Sequence, residues 1–128
     1  GVETLVLEAA QKLTRELRAT TFHPPTLERL TEDGLAGPLI DGGLVCCEWQ
    51  IRMHPSGESV IFDMDAIAGD TAHPYRLQAE QFNLTGLLAD RLKALGGTLH
   101  FAAKVVALDQ DDSHVTVTTA DGAEYRGR

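Results

Sequence analysis

Thr4-Leu5-Val6-Leu7 is a short, continuously apolar run that ends on the acidic Glu8. A strand with one wet face alternates apolar and polar residues. A strand covered on both faces, as in a parallel sheet, does not. Parallel pairing needs a crossover connection rather than a tight turn, and the crossover is usually helical. This run therefore predicts a mixed α/β or α+β chain. It finds no candidate parallel partner upstream, and the chain stops a few residues after a hairpin turn, so both ends read as cut. Apolar edges along residues 4–7 and the long helix described below are expected to be exposed and to favour association.

The remaining pattern supplies the other elements. Pro24-Pro25 opens a helix with Leu27 and Leu30 on one face, and Gly34 closes it. From Leu44 to Met53 the residues alternate, with Val45, Cys47, Trp49, Ile51 and Met53 on one side and Glu48, Gln50 and Arg52 on the other. After the turn His54-Pro55-Ser56-Gly57-Glu58, Val60, Phe62 and Met64 resume the apolar side, which predicts a hairpin with one buried face. Ala79–Leu95 carries leucines at helical spacing and ends at Gly96-Gly97. A β-meander is predicted from Leu99 and Phe101 through Val105–Leu108, Val115–Val117 and Glu124–Arg126. Asp121-Gly122 is its last turn, with positive φ expected at both central residues.

Composition excludes several function classes. The 128 residues carry a net charge of −8, which opposes a nucleic-acid surface. No run of about 18 apolar residues spans a membrane, and the N-terminus lacks the features of a signal peptide. Cys46 and Cys47, the only cysteines, are adjacent and lack the two-residue gap of a metal or redox motif. They read as buried strand residues of a reduced, cytoplasmic protein. Asp63, Asp65, Asp70 and His73 could be imagined around a metal, but the first two alternate with the apolar side as a solvated strand face, so no metal is expected. No Gly-x-Ser-x-Gly elbow or phosphate-binding loop occurs, which leaves hydrolase and nucleotide triphosphatase chemistry unsupported.

Four stretches, taken in order, resemble the class A FAD-dependent monooxygenases, the aromatic hydroxylases that include the para-hydroxybenzoate and phenol hydroxylases. The first is Gly1–Glu8, similar to that family's second dinucleotide-fold strand, whose terminal carboxylate accepts the adenosine ribose hydroxyls; Glu8 stands there. The second is Arg18-Ala19-Thr20-Thr21-Phe22-His23-Pro24-Pro25-Thr26-Leu27-Glu28, in which Arg18 matches the arginine beside the FAD phosphate and ribose. The third is Pro74–Thr85, where Gln81, or Gln78 in a shifted register, matches the glutamine that opens a long helix with its amide on FAD. Many relatives carry Glu where this chain has Thr85. The fourth, Leu95–Gly122, resembles the stretch before the family's Gly-Asp motif, with Val105 and Val106 flanking the adenine.

The resemblance implies part of a Rossmann-like FAD-binding domain in residues 1–40 and 75–128, with part of a β-sheet substrate domain in residues 41–74. It implies a parent enzyme that reduces FAD with NADH or NADPH and hydroxylates a small aromatic substrate with O2 through a flavin hydroperoxide. Trp49, Ile51 and Met53 are then candidate pocket lining. No catalytic side chain or metal is required, and a homo-oligomer is compatible. A halogenase or reductase of the same fold, or a non-catalytic α/β binding module, stays open as an alternative. Neither the Gly-x-Gly-x-x-Gly loop nor, after the fourth stretch, the family's Gly-Asp motif is present in the sequence given, so the chain by itself is expected to bind FAD poorly or not at all.

Overall fold

Proline fixes its own φ and lacks an N–H, and both properties suit the first turn of a helix. In the computed structural model, which describes residues 2–128, helix α1 (Pro24–Glu32) begins on that pair. It ends at Gly34 with φ +72°, where the Leu35 N–H reaches back to the Leu30 carbonyl at 2.8 Å. A side chain at that φ would be strained, which explains the glycine.

The chain divides into two units, Glu16–Leu87 and the segments Gly1–Arg15 plus Leu88–Arg128. Within Glu16–Leu87, β2 (Thr21–Phe22), β3 (Leu44–Cys46) and β6 (Arg76–Gln78) form an antiparallel sheet with β6 in the centre. Helix α1 and the short α2 (Ala36–Asp41) contribute Leu27, Leu30, Ala36 and Leu39 to a core completed by Phe22, Leu35, Leu77 and Ala79. Leu27, Leu39 and Leu77 are fully buried. The second sheet of this unit pairs β4 (Glu48–Arg52) with β5 (Ser59–Asp63), and a 3-10 turn (Met64–Ile67) follows.

In the other unit, β1 (Leu5–Leu7) lies parallel to β7 (Thr98–His100), while β8 (Val105–Gln110), β9 (Val115–Thr119) and β10 (Glu124–Gly127) form an antiparallel meander. Helix α3 (Gln81–Ala94) carries the chain from one unit into the other and stops at Gly96-Gly97, where the Gly97 N–H bonds the Leu92 carbonyl at 2.9 Å. The mixed α/β class follows as the sequence predicts, with one parallel pair whose long connection contains helices.

Several expectations are corrected. The parallel partner of β1 lies downstream, in β7, rather than upstream. Residues 98–100 accordingly leave the meander, which has three strands. Leu5 and Val6 are exposed, so this strand is not covered on both faces among the described residues. The alternating run 44–53 is two strands: the chain leaves the β6 sheet at Cys47, whose carbonyl accepts the Met64 N–H at 2.9 Å. Trp49, Ile51, Val60 and Phe62 do share a face, by register, but that face is open, with Ile51 46% and Met53 54% exposed. Cys46 is half-buried and Cys47 exposed, not core residues: Cys46 ends β3, and Cys47 is the break before β4. At Asp121-Gly122 only Gly122 has positive φ, since the loop has three residues, 120–122, closed by Thr119 N–H to the Ala123 carbonyl at 2.9 Å.

The connection 68–75 is held on α1 by polar contacts. Glu28 accepts from the Thr71 hydroxyl and the Ala72 N–H. Buried His73 has its Nε2 2.8 Å from the Thr31 hydroxyl and its Nδ1 2.8 Å from the Tyr75 hydroxyl. The Thr31 hydroxyl already donates to the Leu27 carbonyl at 2.9 Å, so its oxygen accepts from Nε2–H. In the neutral ring Nδ1 then accepts from Tyr75, and every polar atom of the imidazole is used. The Thr71 hydroxyl, followed by the Ala72 N–H, holds the Glu28 carboxyl below its ordinary value of 4.5. A depressed carboxyl stabilises the fold fully above its unfolded value and loses that contribution as pH falls through the lower folded value. Urea midpoints measured from pH 6 to 3 should therefore decline below pH 4.5, and Glu28→Gln should flatten part of that decline. An unchanged slope in the variant would remove this carboxylate from the account.

Candidate functional site

A carboxylate at a strand tip stays available to a ligand when backbone bonds fix the chain around it. Glu8 directly follows β1. Its N–H donates to the His100 carbonyl at 2.8 Å, and its carbonyl accepts from Ala103 N–H at 2.9 Å. The side-chain Oε1 accepts from the Ala10 N–H at 2.7 Å, which orients the half-buried carboxylate. The Ala102 N–H donates to the Ala10 carbonyl at 2.8 Å, and Ala102 itself sits at φ +57°. A non-glycine residue in that region costs about 1–2 kcal/mol, and such strain gathers at functional sites. Nothing in the sequence marks Ala102, because alanine carries no turn signal.

Two residues beyond Ala103, β8 begins with Val105 and Val106, both exposed. The ladder with β9 shifts between Val105 and Ala107, so Val106 is the extra residue of a β-bulge. Glu8 and the start of β8, far apart in sequence, are thus joined through one backbone hydrogen bond and two intervening residues.

The other unit joins a second pair. Gln81 is the first residue of α3, and its N–H donates to the Ala19 carbonyl at 3.0 Å, beside Arg18. The next bond of the same run, Ala79 N–H to the Thr20 carbonyl at 2.9 Å, fixes the register. The Gln81 side chain is exposed. Arg18 is exposed and pairs with Glu16 at 2.9 Å, an ion pair that solvent screening makes weak and exchangeable. Gln78 instead accepts from the Thr21 hydroxyl at 3.0 Å, inside the sheet, which leaves Gln81 the freer amide of the two.

Trp49 stacks on Phe62 with ring centroids 4.1 Å apart and planes 7° from parallel. Ile51, paired with Val60, lies on the same side of the hairpin, and Met53 follows just beyond β4. The face of Trp49 and Ile51 is open rather than folded into a closed cavity. Sequence reasoning missed Arg76, whose guanidinium carbon lies 5.2 Å from the Trp49 ring centroid. Only an isolated arginine in an apolar stretch marks it.

Chemically, the set comprises a fixed carboxylate, an exposed strand start, a guanidinium and a primary amide, and no nucleophile–base pair is among them. A carboxylate accepts from vicinal hydroxyls, a guanidinium forks onto phosphate and an amide serves either role. Taken unit by unit, the carboxylate beside the start of β8 has the chemistry to hold a ribose, and the guanidinium beside the amide has the chemistry to hold a phosphate.

Comparison with known proteins identifies the family. The family model described as FAD binding domain matches residues 1–127. Para-nitrophenol 4-monooxygenase of Pseudomonas sp. (strain WBC-3) is 29% identical over 94% of this chain and 30% of that protein. A rifampicin monooxygenase of Streptomyces venezuelae is 31% identical over 100% of the chain and 26% of that protein. The crystal structure of p-nitrophenol 4-monooxygenase PnpA from Pseudomonas putida DLL-E4 superposes with a TM-score of 0.88 at 30% identity, over 98% of this chain and 33% of that one. The chain spans about a third or less of the length of these proteins. With a fixed carboxylate, a guanidinium and a helix-opening amide in the order the resemblance requires, and the family model matched over nearly every residue, this chain belongs to the FAD binding domain family, that of the FAD-dependent aromatic hydroxylases.

Proposed function

We propose that this chain is the part of an FAD-dependent monooxygenase that grips the adenosine and phosphate portion of FAD and supplies one wall of an aromatic pocket. Residues 1–40 and 75–128 belong to the cofactor domain in this reading, and residues 41–74 to the substrate sheet. Glu8 accepts the ribose hydroxyls, Arg18 neutralises phosphate, Gln81 bonds the cofactor through its amide, and Val105 and Val106 flank the adenine. Trp49, Ile51 and Met53 face an aromatic substrate. Bound FAD supplies the redox chemistry, accepting reducing equivalents from NADH or NADPH and delivering one oxygen atom of O2 to the substrate ring. The chain's residues bind, orient and shield. The protein acts in the cytoplasm, consistent with two free cysteines.

The observation that carries this reading is the joining of residues distant in sequence: Arg18 with Gln81 through Ala19, and Glu8 with Val105 through Ala103. FAD affinity of the intact gene product, followed by quenching of flavin fluorescence, tests it. Glu8→Gln and Arg18→Ala should each weaken binding roughly tenfold, the scale of one charged hydrogen-bond partner. Wild-type affinity in both variants would remove these residues from the cofactor site.

A further inference from the structure

The start of α1 and the 3-10 turn Met64–Ile67 both line an open cleft of about 650 Å³. That volume falls within the roughly 300–1,000 Å³ of small-molecule sites. Pro24, Pro25, Met64 and Ile67 give the cleft apolar walls, with Pro24 buried and Met64 and Ile67 half-buried. Its polar groups are one-sided in charge. Glu28 and Asp70 bring carboxylates, Thr71 a hydroxyl and His23 an imidazole, and no Lys or Arg is among the lining residues. Glu28 is fixed in place, because its Oε1 accepts from the Thr71 hydroxyl and from the Ala72 N–H at 2.8 Å. Both bonds end on Oε1, so Oε2 keeps its acceptor capacity. The same two donors hold the carboxyl below its ordinary value, which keeps it ionised at neutral pH. Neither Glu28 nor Asp70 joins an ion pair among the described residues, and the adjacent Arg29 turns to Glu32 and Asp33. A cleft with apolar walls and unneutralised carboxylates complements a ligand that brings an apolar body and a positive charge. A bare metal ion would leave the apolar walls unused, and the described residues hold no group of three or more metal-ligating side chains. None of the lining residues belongs to the cofactor grip or the aromatic wall proposed above.

We propose that this cleft is a separate small-molecule site, for a primary organic ammonium ion with an apolar body, and that Glu28 is its specificity-determining residue. The ammonium donates to Oε2 of Glu28, the exposed Asp70 adds negative charge, and the apolar body lies against Pro24, Met64 and Ile67.

The test is calorimetric titration of the intact gene product with cyclohexylmethylammonium, cyclohexylmethanol and methylammonium. The first should bind saturably. The alcohol, which lacks the charge, and methylammonium, which lacks the apolar body, should each bind at least roughly tenfold more weakly. Glu28→Gln should cost cyclohexylmethylammonium about the same factor and leave the alcohol unchanged. Glu28 also holds residues 71 and 72, so a second variant guards against a local loss of structure. Asp70 is exposed and outside the core, and Asp70→Asn should leave the fold intact and weaken the ammonium about threefold, the scale of one screened charge. Equal affinity for ammonium and alcohol in the wild type, or no saturable binding of the ammonium, overturns the proposal without reference to any variant. Wild-type ammonium affinity in both variants overturns it as well, because the ligand then sits elsewhere.

Discussion

Replacing Leu77 with alanine should destabilise the Glu16–Leu87 unit by about 3–4 kcal/mol, within the range for a fully buried leucine. Leu77 has no exposed surface and sits on the middle strand of three, in register with Phe22 on one side and Val45 on the other. It shares its core with Leu27 and Leu39, the other two fully buried large side chains. Because β6 is hydrogen-bonded along both edges, the strands cannot close over the vacated volume, and most of the cavity persists. Both the transfer term and the cavity term are then lost together. Urea denaturation followed by far-ultraviolet circular dichroism measures the change. Leu77→Met, nearly equal in volume, should cost less than about 1.5 kcal/mol. A loss below 1 kcal/mol for the alanine variant would show that this site collapses freely and is not the centre of the core.

The second large effect is expected from Gly43→Val, at about 3 kcal/mol, the upper part of the usual range for overpacking. Gly43 does not occupy the left-handed region, so backbone strain is not the reason for glycine there. Space is. A Cβ at this position would lie 2.7 Å from the Leu77 Cδ1 and 3.1 Å from the carbonyl oxygens of Gln78 and Leu39. The leucine can rotate away, but the two carbonyls belong to β6 and α2 and cannot. Combining the two changes tests the shared volume: in Leu77→Ala, Gly43→Val the new methyl groups occupy part of the vacated space, so the double loss should fall short of the sum. Strict additivity would mean that the two positions do not compete for one volume.

Legibility in the sequence followed the strength of local signals. Helix α1 was readable from Pro24-Pro25, the Leu27 and Leu30 spacing and Gly34, and all three signals act as expected. Helix α3 was readable from its leucines and its Gly96-Gly97 stop, although Leu88 and Leu95 remain exposed. Helix α2 was not, because six residues hold less than two turns of pattern and Gly37-Pro38 reads as a turn. The break at Cys47 was also hidden: alternation persists across it, since both halves are strands, and only the choice of partner changes. Of the candidate site residues, Glu8, Arg18 and Gln81 could be singled out by charge, amide and position. Ala102 and Arg76 could not, because a backbone angle or a long-range ring contact leaves no trace in residue type.

By itself the amino-acid order determined the element types, most helix limits, the mixed α/β class and the resemblance to flavin hydroxylases. These depend on periodicity, turn chemistry and ordered motifs, all of which act over a few residues. Tertiary structure alone decided that β1 pairs with β7, that Leu77 centres a sheet assembled from residues 21–78, that Ala19 meets Gln81, and that the half-buried Arg76 lies over the Trp49 ring. Each of these is a long-range pairing, settled by which buried surfaces and backbone donors satisfy one another once the chain has closed on itself.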